Sequence, residues 1–202
     1  MVAPGTNLLA DQLYQVDDTI LHTQYEGGIA ILPMNSLVSL FAVSHPWGTA
    51  ESGTIIYQWN GDGFTAAMNS GYFEPDWPAN ADMTLVPGNS FLMVNTNSSA
   101  FTNLFLGLVR GEQIFHVGPA TNGSPSTNYL SATVPAAGYI TNVTDYRPHN
   151  GDTIKLWNTA SNAYVSYPYL GTNWTQGVPE LGVGQGFLLI TTNAESWTNL
   201  WQ

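Results

Sequence analysis

The sequence predicts an all-β protein made of two tandem, pseudo-repeated β-sandwich or barrel-like units. Three observations predict it. Short runs of β-branched and aromatic residues recur between turn signals. No long stretch combines a 3.6-residue apolar period with strong helix formers, and the 20 Gly and 12 Pro interrupt the chain too often for long helices. Blocks from the first half return in the second at a nearly constant spacing, which marks an internal repeat.

Thr6-Asn7-Leu8-Leu9-Ala10 resembles Thr127-Asn128-Tyr129-Leu130-Ser131. Ile55-Ile56-Tyr57-Gln58-Trp59 is strand-like, and Asn60-Gly61-Asp62-Gly63 after it is a hairpin turn signal. Its counterpart is Thr153-Ile154-Lys155-Leu156-Trp157, followed by Asn158. Trp77 falls opposite Trp174, and Pro87-Gly88-Asn89-Ser90-Phe91-Leu92 opposite Val183-Gly184-Gln185-Gly186-Phe187-Leu188. Trp59 and Trp157 lie 98 residues apart, Trp77 and Trp174 lie 97, and Phe91 and Phe187 lie 96. Thr6 and Thr127 are 121 apart, so the first unit carries about 23 extra residues. The expected division is a first unit over 1–117 with an insertion at about 21–46, a linker at 118–126, and a second unit over 127–202. The insertion holds an apolar stretch, 28–43, and is where one short helix is expected. Phe91 and Phe187 each open an apolar run after a Gly turn and are expected in the core.

Composition narrows the partners. The chain has 202 residues, 44 % of them hydrophobic, enough for a real core. Three Lys and Arg face 14 Asp and Glu, a formal net charge of −11. Nucleic-acid binding needs clusters of basic residues, so no nucleic-acid partner is expected. No apolar run reaches the ~20 residues of a membrane helix. Charged residues total 8 % against roughly 25 % in ordinary soluble domains, so solubility rests on neutral polar groups. There is no Cys, which excludes disulfides and thiolate chemistry. No signal peptide is visible at the start; the composition still favours an extracellular or cell-envelope setting.

The repeated blocks also resemble a known family. Asn7-Leu8-Leu9-Ala10-Asp11-Gln12-Leu13, then Gly151-Asp152-Thr153 through Trp157-Asn158 with Ala163-Tyr164, then Leu181-Gly182-Val183-Gly184-Gln185-Gly186-Phe187 are similar to the duplicated β-rich domain of predicted secreted proteins from Verrucomicrobia and Planctomycetes. The resemblance implies a secreted setting and no activity. Ser90, where that family tends to have Gly, and the insertion both depart from its pattern.

Candidate chemistry is sparse. His22, His45, His116 and His149 show no HxH, HxxxH or HExxH spacing, so no metal site is expected on them. No G-x-S-x-G elbow is present. Gly182-Val183-Gly184-Gln185-Gly186 leads into a strand, not into a helix N-terminus that would hold phosphate. Asp17 with Asp18, or Asp62 with Asp82, are the candidate Ca²⁺ ligands, without an EF-hand pattern. Glu74 and Asp76, in Tyr72-Phe73-Glu74-Pro75-Asp76-Trp77, form the candidate catalytic pair of a glycoside hydrolase. Trp59 and Trp157 lie in strands and read as structural. Trp77 and Trp174 are placed in loops, where aromatics serve binding. With Tyr72, Tyr169 and Asn173 they form the candidate ligand-binding set, the alternative being that both Trp rings act as hydrophobic lids.

The favoured reading is a non-catalytic extracellular β-module that binds neutral polysaccharide through loop aromatics. Two others stay open: a structural protein that assembles with itself into a filament or surface layer, and a small glycoside hydrolase using Glu74 and Asp76.

Overall fold

The computed structural model describes residues 2–10, 12, 24–25, 28–29, 35–37, 40, 53–69, 83–101, 108–109, 112–118 and 124–200. The fold is all-β. Its strands are β1 (Gly5–Leu9), β2 (Gln24–Tyr25), β3 (Gly28–Ile29), β4 (Ile55–Trp59), β5 (Phe64–Met68), β6 (Phe91–Asn95) and β7 (Glu112–Val117). They continue as β8 (Ser126–Ser131), β9 (Gly138–Tyr139), β10 (Thr153–Asn158), β11 (Ala163–Leu170), β12 (Asn173–Trp174), β13 (Glu180–Leu181), β14 (Gly186–Thr191) and β15 (Glu195–Leu200). A one-turn helix, α1 (Ile140–Val143), follows β9.

The two larger sheets have the orders β1-β6-β4-β5 and β12-β11-β10-β14-β8, and β13-β9, β15-β7 and β2-β3 form two-stranded sheets. In each larger sheet, the opening strand lies beside the closing strand, and the closing strand beside the hairpin. The pairings are antiparallel and their registers correspond: Leu9 lies opposite Phe91 and Leu130 opposite Phe187, while Ile56 lies opposite Met93 and Ile154 opposite Leu189. Both hairpins also turn on the same chemistry. The Asn60 side-chain oxygen accepts from the Asp62 and Gly63 N–H groups, and that of Asn158 from Ala160 and Ser161. This is the Asx turn that favours Asn at a strand end.

Period-2 alternation explains which side chains are inside. Phe91 and Met93 are buried on β6, and Ile154 and Leu156 on β10. Among the described residues the buried apolar side chains form two clusters. The first joins Ile56, Phe91 and Met93 to Leu37, Leu40 and Leu85; the second joins Ile154, Phe187 and Leu189 to Ile140, Tyr146 and Leu181. Leu37 and Leu40 come from the insertion. There the Leu40 N–H donates to the Ser36 carbonyl at 2.9 Å, one helical turn. Helix α1 was not expected: at four residues it is too short to show a period. Phe115 and Val117, N-terminal to the expected linker, lie in the second core. Their strand β7 pairs with β15, and Trp197 stacks on Phe115 with centroids 4.8 Å apart.

The two larger sheets meet through reciprocal backbone contacts. The Ala10 N–H donates to the Gly184 carbonyl and the Ser131 N–H to the Gly88 carbonyl, each at 2.9 Å. Bridges join Leu9 to Gln185 and Asn89 to Leu130. By the repeat spacing these are the same contact made twice. Gly88 and Gly184 both have positive φ, 97° and 71°, the conformation glycine adopts without strain. Between them Gly186 faces Ser90 so closely that a methyl on Gly186 would overlap the Ser90 Cβ and come within 3.1 Å of Leu8. The outward face of the hairpins is used here too: the Trp157 indole N–H donates to the Thr6 carbonyl at 2.6 Å, and Trp59 packs on Tyr129 at 5.6 Å.

Gly186→Ala should therefore destabilise the protein by about 1–3 kcal/mol through overpacking. Ser90→Gly in the same chain should recover most of the loss, measured as a double-mutant cycle by urea unfolding; simple additivity would show that the two positions do not collide. Phe187→Ala, which empties a fully buried site, should cost about 3–5 kcal/mol, and an unchanged melting temperature would contradict its place in the core.

Candidate functional site

The segment between α1 and β10 is stitched to the ends of β11 and β15. The Asp145 carboxylate accepts from the Asn199 side chain at 2.9 Å and the Leu200 N–H at 3.1 Å. The Trp197 indole N–H donates to the Thr144 carbonyl at 2.8 Å. At the other end Gly151 and Tyr169 bond through their backbones, as do Tyr169 and Asp152. Gly151, at φ 96°, makes the turn that brings His149 back beside Asp152.

This stitching opens a groove of about 910 Å³ whose lining includes Arg147, His149, Tyr169, Glu195, Trp197 and Thr198. His149, Asp152 and Glu195 converge at its side, with one ligand-type atom from each within 4.8 Å of the others. His149 Nδ1 lies 3.2 Å from Glu195 Oε2 and 3.8 Å from Asp152 Oδ2. Asp152 is 1 % exposed. Its Oδ2 accepts from the Tyr146 hydroxyl at 2.5 Å and the His149 N–H at 2.6 Å. Asp152 Oδ1 and Glu195 Oε1 are buried and have no hydrogen-bond partner among the described residues.

Burial raises the Glu195 carboxyl above its ordinary value; His149 pulls it down and Asp152 pushes it up. Burial also raises the Tyr146 hydroxyl, and its bond to Asp152 acts in the same direction, so Tyr146 stays a donor. By the spacing that matches Trp59 with Trp157, Thr54 stands where the second unit has Asp152. By the spacing of Phe91 and Phe187, Ser99 stands where it has Glu195. Among the described residues the cluster of His149, Asp152 and Glu195 has no counterpart at those positions.

Of the residues singled out from sequence, Tyr169 lines the groove. Trp174 lies in strand β12 and not in a loop. It pairs with Tyr169 across the hairpin, their rings 5.2 Å apart at 68°, and packs half-buried on the second core. Asn173 is exposed at the hairpin end. Asp62 is exposed in the first hairpin turn, at a second groove of about 740 Å³ that also holds Trp59, His116, Asn128 and Tyr129. Tyr72, Glu74, Asp76, Trp77, Asp17, Asp18 and Asp82 lie outside the described residues.

Comparison with family models, curated proteins and solved structures gave no match to this chain. No helix among the described residues is long and apolar enough to cross a membrane. Sequence reasoning missed Asp152 and Glu195. The nearest signal was His149-Asn150-Gly151-Asp152, a His and an Asp straddling an Asn-Gly turn, but Glu195 joins them through the tertiary bonds that hold β15 to Thr144 and Asp145.

Tyr146→Phe removes a donor from a buried carboxylate and should cost about 1–3 kcal/mol. Chemical denaturation checks this; a change below a few tenths of a kcal/mol would mean that Asp152 does not depend on that hydroxyl.

Proposed function

We propose that this chain is a non-catalytic module that binds neutral polysaccharide in an extracellular or cell-envelope setting, with the groove beside Tyr169 as its binding surface. The observation that carries the reading is the Tyr169 ring in the lining of an open groove that also holds Trp197, together with flat or branched polar side chains. Sugars present C–H faces that stack on aromatic rings and hydroxyls that bond to carboxylate, imidazole, guanidinium and Thr groups. Trp174, packed edge-on to Tyr169, fixes the ring and lowers the entropy lost on binding. The net charge of −11 disfavours anionic polymers, which leaves neutral ones. The second groove, beside Trp59 and Tyr129, offers a similar mixture of rings and amides. Two weak sites on one chain raise avidity on a polymer long enough to reach both. The resemblance to secreted β-rich repeats agrees with this setting.

Affinity electrophoresis through gels containing neutral glucans, mannans or xylans should retard the protein on at least one polymer. Tyr169→Ala should release it by about tenfold in apparent affinity, equivalent to ~1.4 kcal/mol, while the protein stays folded by circular dichroism. No retardation on any neutral polymer sinks the reading. A rise of mass with concentration in light scattering, without glycan, would favour self-assembly instead.

A further inference from the structure

We propose that His149, Asp152 and Glu195 bind one divalent transition-metal ion of the Zn²⁺ class, with an open coordination position toward the groove. The spacing suits such an ion. A tetrahedral site with bonds of about 2.1 Å sets its ligand atoms about 3.4 Å apart; His149 Nδ1 is 3.2 Å from Glu195 Oε2 and 3.8 Å from Asp152 Oδ2. The third separation, between the two carboxylates, is within 4.8 Å, so closing the set around an ion takes only a side-chain adjustment, and each carboxylate has a second oxygen without a hydrogen-bond partner among the described residues.

The second observation is independent of spacing. Asp152 is almost completely buried, yet Asp152 Oδ1 and Glu195 Oε1 have no hydrogen-bond partner among the described residues. Buried carboxylate oxygens left unpaired are costly, and a cation at the cluster supplies what they lack. Asp152 Oδ2, meanwhile, is held by the Tyr146 hydroxyl and the His149 N–H, the arrangement by which outer residues orient a ligating carboxylate. By the repeat spacing Thr54 and Ser99, both uncharged, stand at the matching places of the first half.

The donor set selects the metal class. Ca²⁺ and Mg²⁺ favour all-oxygen shells, whereas one imidazole with two carboxylates suits Zn²⁺ and its neighbours. Three protein ligands leave the fourth tetrahedral position free, and His149 and Glu195 both line the groove, so a water or a ligand oxygen has access to it. The competing arrangement is an ion pair, with a protonated His149 bridging the two carboxylates and no metal affinity.

The inference does not rest on polysaccharide binding, and its test contains no glycan. The full chain, stripped with a chelator, is titrated with ZnCl₂ by calorimetry and with CoCl₂ by visible absorption, which reports tetrahedral coordination. One ion per chain is expected. His149→Ala, a change at an exposed side chain, should abolish binding while near-ultraviolet circular dichroism is kept. Tyr146→Phe should weaken binding about 10- to 100-fold, the usual effect of losing an outer-shell partner. His116→Ala should leave affinity and stoichiometry unchanged. No uptake of Zn²⁺ or Co²⁺ by the native chain overturns the proposal, and so does uptake that His149→Ala leaves intact. Ca²⁺ binding as tight as Zn²⁺ overturns the assignment of metal class.

Discussion

Gly186 and Ser90 face each other where the two closing strands begin, and there is room for only one Cβ between them. On either side of that contact the same backbone bond is made twice, from Ala10 to Gly184 and from Ser131 to Gly88. Each of the two larger sheets thus offers the other a like backbone contact. The contact tolerates asymmetry at one point only: Ser90 keeps its side chain because Gly186 has none. Ser90 is thus accommodated by the residue it meets, Gly186.

That junction dictates how the outward faces of the sheets are used. A strand with one face on a core normally gives its other face to water. Here the hairpin rings of Trp59 and Trp157 reach across the junction instead, one onto the Tyr129 ring and one onto the Thr6 carbonyl. Burial of such large rings adds apolar area that neither core supplies alone. Leu37 and Leu40 join the first core.

The second unit holds a feature the first does without. Its segment from Thr144 to Asp152 is tied to β11 and β15 by backbone and side-chain bonds, and this rigid frame keeps two carboxylates near each other beside one imidazole. Placing them so costs stability, as the raised Glu195 carboxyl indicates. Such arrangements gather at functional sites.

The sequence by itself determined the all-β class, the strand at Ile55–Trp59, the strand block ending at Trp157, a strand at Phe91–Val94 that the structure extends to Asn95 with alternating rather than two-faced burial, and the core positions of Phe91 and Phe187. Those follow from period-2 alternation, turn chemistry and burial of large apolar groups, all local properties. One further signal was present and went unread: Phe101-Thr102-Asn103-Leu104 returns as Trp197-Thr198-Asn199-Leu200, and Phe101 bridges Val2 much as Trp197 pairs with Phe115. Tertiary structure alone decided that Trp174 backs Tyr169 from a strand, that Gly186 answers Ser90, and that Glu195 joins His149 and Asp152. Each of these depends on the distance between side chains that no single strand holds, whether across the short β11–β12 hairpin or from positions far apart in the chain. Pairing between strands sets that distance, and no pattern within a single strand encodes it.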